Sequence, residues 1–157
     1  MKKLTLILLL ALTTFGISFA KETSLTKRQV SSQALVNMMD SDFKDCAEID
    51  EDGDILMEYD GLTFYVFINY DLNLICFSAS WGGAEDLDSD IAAEICNDWN
   101  KDYVFTSCYY SDYGSFRMQY YMTFEGGLGQ TTFNESMDMF CELSFLFWDY
   151  LSESDAL

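Results

Sequence analysis

Asp50, Asp52 and Asp54 alternate along one short run, the spacing at which the first three ligands of a calcium loop are set out. The template then fails. Ile55 stands where the sharp turn needs glycine, and Gly61 falls at the twelfth position, where a bidentate Glu belongs. The run reads as a solvated hairpin that draws Ca²⁺ weakly. Asp86, Asp88 and Asp90 repeat the alternation and read as the acidic start of a helix. Carboxylate pairs of the glycosidase kind abound, but spacing singles out none of them. The chain contains no histidine, which excludes the Ser-His-Asp triad, the Cys-His pair and His-ligated zinc. Gly82-Gly83 and Gly126-Gly127-Leu128-Gly129 lack the Lys and Ser/Thr of a phosphate loop and read as turns. Asn134-Glu135-Ser136 fits a glycosylation sequon but falls inside a helical pattern. These residues point to no catalytic centre, no cofactor and no metal site.

The five cysteines, at 46, 76, 96, 108 and 141, contain no CxxC pair. An odd count leaves at least one thiol free or paired between chains, and spacing does not give connectivity. Compartment decides whether bridges persist. Lys2 and Lys3, the apolar run Leu4 to Leu12 and the small residues Ser18 and Ala20 make a secretory signal peptide, with the mature chain starting at Lys21. A periplasmic or secreted protein is expected, without stable membrane insertion once the leader is removed. With 27 acidic against 8 basic residues, a net charge of −19, nucleic acid is not an expected partner, because it carries the same sign. Half the residues are hydrophobic and 17% are aromatic, enough to bury a core.

The elements follow from periodicity. Leu35, Met38, Met39 and Phe43 recur at helical spacing behind Ser31 and Ser32, which predicts a first helix. Strands are expected at Ile55–Tyr59 and Leu62–Tyr70, the second apolar on both faces and hence central. Another is expected at Leu74–Trp81, with Ile75, Phe77, Ala79 and Trp81 on one face and Ser78 and Ser80 on the other. Ile91, Ala92, Ile95, Cys96 and Trp99 form the stripe of a second helix. Tyr103–Tyr110 reads as a strand. After the turn Ser111–Gly114, Phe116, Met118, Tyr120, Met122 and Phe124 give the cleanest period of two in the chain. Thr132 and Glu135 form a capping box for a last helix running to Leu151. Strands joined by short turns imply an antiparallel sheet with helices packed on one face, an α+β domain. The chain divides into a leader at 1–20, a flexible lead-in at 21–32, one domain at 33–151 and a polar tail at 152–157.

Asp50 to Asp54, Glu58-Tyr59-Asp60-Gly61, Asp98-Trp99-Asn100-Lys101-Asp102-Tyr103 and Phe124-Glu125-Gly126-Gly127 before a final helix resemble, in that order, the YbjN family of bacterial sensory transduction regulators. The resemblance spans about residues 33 to 151. It implies a small α/β sandwich like that of type III secretion chaperones, and a non-enzymatic protein-binding or regulatory role. Val104 and Ser107 stand where relatives carry basic residues, so no role of such bases carries over. A small acidic-site enzyme of the carbohydrate hydrolase kind and a calcium-responsive surface protein remain the alternatives. Cys76 and Cys108 fall on strands at either end of the second helix's crossover, and if those strands are neighbours a bridge is expected between them.

On the last helix, Phe133, Met137, Phe140, Cys141, Ser144, Phe147, Trp148 and Leu151 make one stripe. Met139, Leu143, Leu146 and Tyr150 widen it to an arc of roughly 220°, well beyond what one sheet contact needs. These four are the expected contact surface for a protein partner or a second copy, unless the first helix covers them.

Overall fold

Phe116, Met118 and Met122 are buried while Arg117, Gln119 and Tyr121 face away, as the alternation requires. The same parity repeats across a six-stranded antiparallel sheet in the computed structural model, which describes residues 22–157. The signal-peptide reading of residues 1–20 lies outside the described residues. The strands are β2 (Ala47–Ile49), β3 (Ile55–Tyr59), β4 (Leu62–Asn69), β5 (Leu74–Gly82), β6 (Ser107–Ser111) and β7 (Ser115–Thr123), in the order β2-β3-β4-β5-β7-β6. β1 (Ser24–Leu25) pairs with β8 (Leu128–Gly129) as a separate two-stranded ladder. Asp60 and Gly61, with φ of 48° and 85°, join β3 to β4. Positive φ at both residues is what a two-residue hairpin turn needs to match strand twist.

Four helices among the described residues are α1 (Ser32–Met38), α2 (Ser41–Lys44), α3 (Ser89–Asp102) and α4 (Gln130–Glu153). They cover one face of the large sheet, as expected. α4 runs along β5: Phe133 and Phe140 lie 5.8 and 5.9 Å from Phe77, and Phe147 lies 5.3 Å from Trp81. α3 packs beside β6, with Ala92, Cys96 and Trp99 buried. The side chains of Gln130 and Asn134 on α4 both donate to the carbonyl of Met38, satisfying the end of α1.

Several expected boundaries moved, each for a physical reason. The first helix breaks at Met39, whose ψ of 145° is extended, so Phe43 belongs to the separate α2 and packs on Tyr59 at 4.9 Å. β2 is three residues long and carries no pattern of its own. Residues 103–106 are loop, because Trp99 Nε1 donates to Thr106 and holds that stretch against α3. Ile91 is 55% exposed, leaving a narrower stripe than expected. Thr132 is not a cap. α4 starts at Gln130 with Gly129 in the cap position, three residues before Thr132, and the carboxylate of Glu22 accepts the amide of Thr131 from across the fold. Glu22 and β1 thereby tie down part of the expected flexible lead-in. Gly127, with φ of 97°, sits where a Cβ would lie 2.8 Å from the carbonyl oxygen of Leu25, so close passage of β1 requires glycine there. The polar tail is anchored as well: Ala156 is fully buried and its carbonyl accepts the amide of Ala84.

Candidate functional site

The four residues expected to meet a partner lie on one side of α4, spaced i, i+4, i+7 and i+11. Met139 and Leu146 are 44% and 49% exposed; Leu143 and Tyr150 are half-buried, Tyr150 with its ring 5.8 Å from Trp99. α1 reaches α4 through Gln130 and Asn134, well N-terminal of this stripe, and leaves Met139 and Leu146 open. Glu135, Glu142 and Asp149 flank the stripe, all exposed. Trp148, 42% exposed, points to the opposite side of the helix.

Asp50, Asp52 and Asp54 form the β2–β3 hairpin. Oδ1 of Asp50 accepts the amides of both Asp52 and Asp54, at 3.0 and 2.9 Å, so that oxygen serves its own turn. Burial, then the charges of Asp50 and Asp52, raise the carboxyl of Asp54 above its usual range. Asn134 is 5% exposed and donates to Met38 and Asp40, which leaves no room for a glycan at that sequon.

The expected Cys76–Cys108 bridge is overturned. Cys76 pairs in register with Tyr121 and Cys108 with Met118, so β7 separates them and they occupy opposite faces of the sheet. Two strand spacings amount to about 9.6 Å, beyond the reach of a disulfide. All five cysteines are free thiols. Burial raises those of Cys96 and Cys141 from 9.0 to about 11 and about 12, and that of Cys108 higher still. Unfolded thiols release protons near pH 9, so above that pH the unfolded chain binds fewer protons than the folded one. Stability is therefore complete below about pH 9 and declines as pH rises toward about 12. Urea midpoints at pH 8 and at about pH 10.5 should show the decline, and it should flatten in a Cys96→Ala/Cys141→Ala variant. An unchanged slope in that variant would place the effect elsewhere.

Sequence reading missed the outer face of the sheet, which no described element covers. One row across three strands there is Phe67, Cys76 and Tyr121, with Asp54 just ahead of β3 on the far side of Phe67, and the next holds Tyr65, Ser78 and Gln119. Past Leu74 at its start, β5 contributes only small side chains to this face, Cys76, Ser78 and Ser80, between strands that contribute large ones. A trough results. The rings of Tyr65 and Phe67 stand parallel at 5.8 Å on one side, and the Tyr121 hydroxyl donates to Gln119 on the other. The local signal was the both-sided apolarity of β4 beside the serines of β5.

A helix-backed antiparallel sheet, with an open helix stripe and an uncovered sheet face, is a two-layer α+β domain whose candidate sites are surfaces. The chain belongs to the YbjN family, described as "Putative bacterial sensory transduction regulator", which matches residues 39–151. Its structure is similar to the one titled "Crystal structure of YbjN, a putative transcription regulator from E. coli", with a TM-score of 0.57 and 14% identity over 71% of this chain and 86% of that one. At that identity the likeness is one of fold. No curated protein sequence matches the chain. The residues that carried the resemblance have structural duties: Asp60-Gly61 turns a hairpin, Gly127 admits β1, and Asn100 holds the edge strand β6.

Proposed function

We propose that the protein is an exported, non-enzymatic protein-binding module of regulatory type, and that the α4 stripe of Met139, Leu143, Leu146 and Tyr150 is its contact surface. The observation that carries this reading is the heptad-like spacing of apolar side chains, two of them nearly half exposed, on the longest helix described. Such a seam accepts the knobs of a partner helix. The carboxylates of Glu135, Glu142 and Asp149 beside it choose among partners. A second copy would set acid against acid, whereas a helix with an apolar seam flanked by Lys or Arg would complement the stripe.

The test is a Met139→Lys/Leu146→Asp variant, examined by circular dichroism, light scattering and titration with two designed helical peptides that share a Leu seam and differ in Lys or Glu flanks. The variant is expected to stay folded and to bind the Lys-flanked peptide at least about tenfold more weakly than the wild type. Wild type should ignore the Glu-flanked peptide. A variant that unfolds, or that binds both peptides as the wild type does, would make the stripe ordinary core or inert surface.

A further inference from the structure

On the face of the sheet opposite α4, the trough along β5 opens into a cavity of about 930 Å³. Phe67 and Tyr121 stand on either side, Leu74 and Cys76 form the floor, Asp71 lies in the β4–β5 turn at one end, and Asp54 lies beyond Phe67 on the side of β3. The floor is well packed, with Cys76 and Ser78 only 7% and 4% exposed. β4 and β7 lie two strand spacings apart, about 9.6 Å, wide enough for a single methylene chain to touch both walls. No Lys or Arg lines the cavity. Only two ion pairs, Lys27–Glu125 and Lys101–Asp98, neutralise acids among the described residues. An anionic ligand therefore meets carboxylates and the field of a chain carrying −19, and nothing in the cavity answers its charge.

We propose that this trough binds an extended organic polycation of the aliphatic polyamine class, its methylene chain lying along β5 between Phe67 and Tyr121, one ammonium group at Asp71 and a second turned past Phe67 toward Asp54. Ring faces attract ammonium groups and the methylenes next to them, and the Asp71 carboxylate at one end fixes the direction of the chain. Asp50 and Asp52 crowd Asp54 with like charge, and a bound ammonium relieves that crowding. A bare divalent cation lacks the hydrocarbon that would use the walls. A neutral oligosaccharide would use the rings and the Gln119 amide but draw nothing from the field.

Calorimetric titration of the whole protein with spermidine tests the proposal, with Mg²⁺ and a neutral linear oligosaccharide as comparators. One saturable site is expected for spermidine, weakened about tenfold by Phe67→Leu and by Tyr121→Leu and unchanged by Glu94→Gln on the exposed side of α3. Tyr121 is half exposed, so its substitution leaves the buried face intact should Phe67→Leu disturb the sheet. Equal affinity in all variants, displacement by Mg²⁺ at matched ionic strength, or preference for the oligosaccharide would each overturn it.

Discussion

Replacing Phe147 by Ala is expected to lower the free energy of unfolding by about 4 kcal/mol, the largest single loss available in this fold. Phe147 is fully buried, and its ring lies 4.9 Å from Trp99, 5.3 Å from Trp81 and 6.1 Å from Phe116. One side chain thus joins α4 to α3, β5 and β7. Truncation removes the transfer free energy of the ring and its aromatic pairings, and leaves a cavity whose rigid walls collapse poorly. In a domain of this size the melting temperature should fall by about 15 °C. Urea unfolding measures the loss directly, with the slope m expected to hold if only stability has changed. Phe147→Leu keeps most of the volume and should lose about 1.5 kcal/mol, so the comparison stands even if the Ala variant is too weak to study. A loss below about 1 kcal/mol for Ala would mean that the aromatic cluster is not the keystone described.

Asn100→Ala should be the next most costly change, at about 2–3 kcal/mol, although Asn100 is half-buried and apolar packing has little part in it. Its side-chain amide donates to the carbonyl of Cys108 at 2.9 Å and accepts the amide of Cys108 at 2.8 Å. The side chain so takes the place of a further strand on the open edge of β6. Removing it leaves one donor and one acceptor of the edge strand without partners and loosens α3 from the sheet. Hydrogen exchange should report loss of protection at Cys108 and along β6, with β4 and β5 little changed. Asn100→Asp keeps the acceptor but sets a carboxylate against a carbonyl, and should cost as much. Unaltered exchange at Cys108 in both variants would remove the clamp from the account. Since unpaired edges recruit other strands, the Ala variant should also associate more readily at high concentration.

What could be read in the sequence was whatever a residue's near neighbours decide. The Phe116–Phe124 alternation gave β7 because a strand buried on one face must repeat every two residues. Asp60-Gly61 gave its hairpin because positive φ at two successive positions is a local demand. The open stripe of α4 was legible as an arc too wide for one sheet contact. Long-range partners were not legible. The cap of α4 comes from Glu22, more than a hundred positions away, so local rules chose Thr132 in its place. Cys76 was already out of phase with Ile75 and Phe77, but placing Cys108 required knowing that β6 lies outside β7. The trough escaped notice for the same reason: its walls belong to β4 and β7, and only sheet order sets them on either side of the small residues of β5.

The ladder between Ser24–Leu25 and Leu128–Gly129 bears on the order of assembly. A ribosome delivers β1 first and its partner only about a hundred residues later, so the leading segment has nothing to pair with while the hairpins from β2 to β5 form among near neighbours. Closing this ladder spans the longest loop of any strand pairing among the described residues, and loop entropy makes it a late event. The start of α4 waits with it, because Glu22 can reach Thr131 only once the two ends of the domain have met. The fold is thus fastened last at its beginning: until the final helix is in place, β1 and Glu22 stay without their partners.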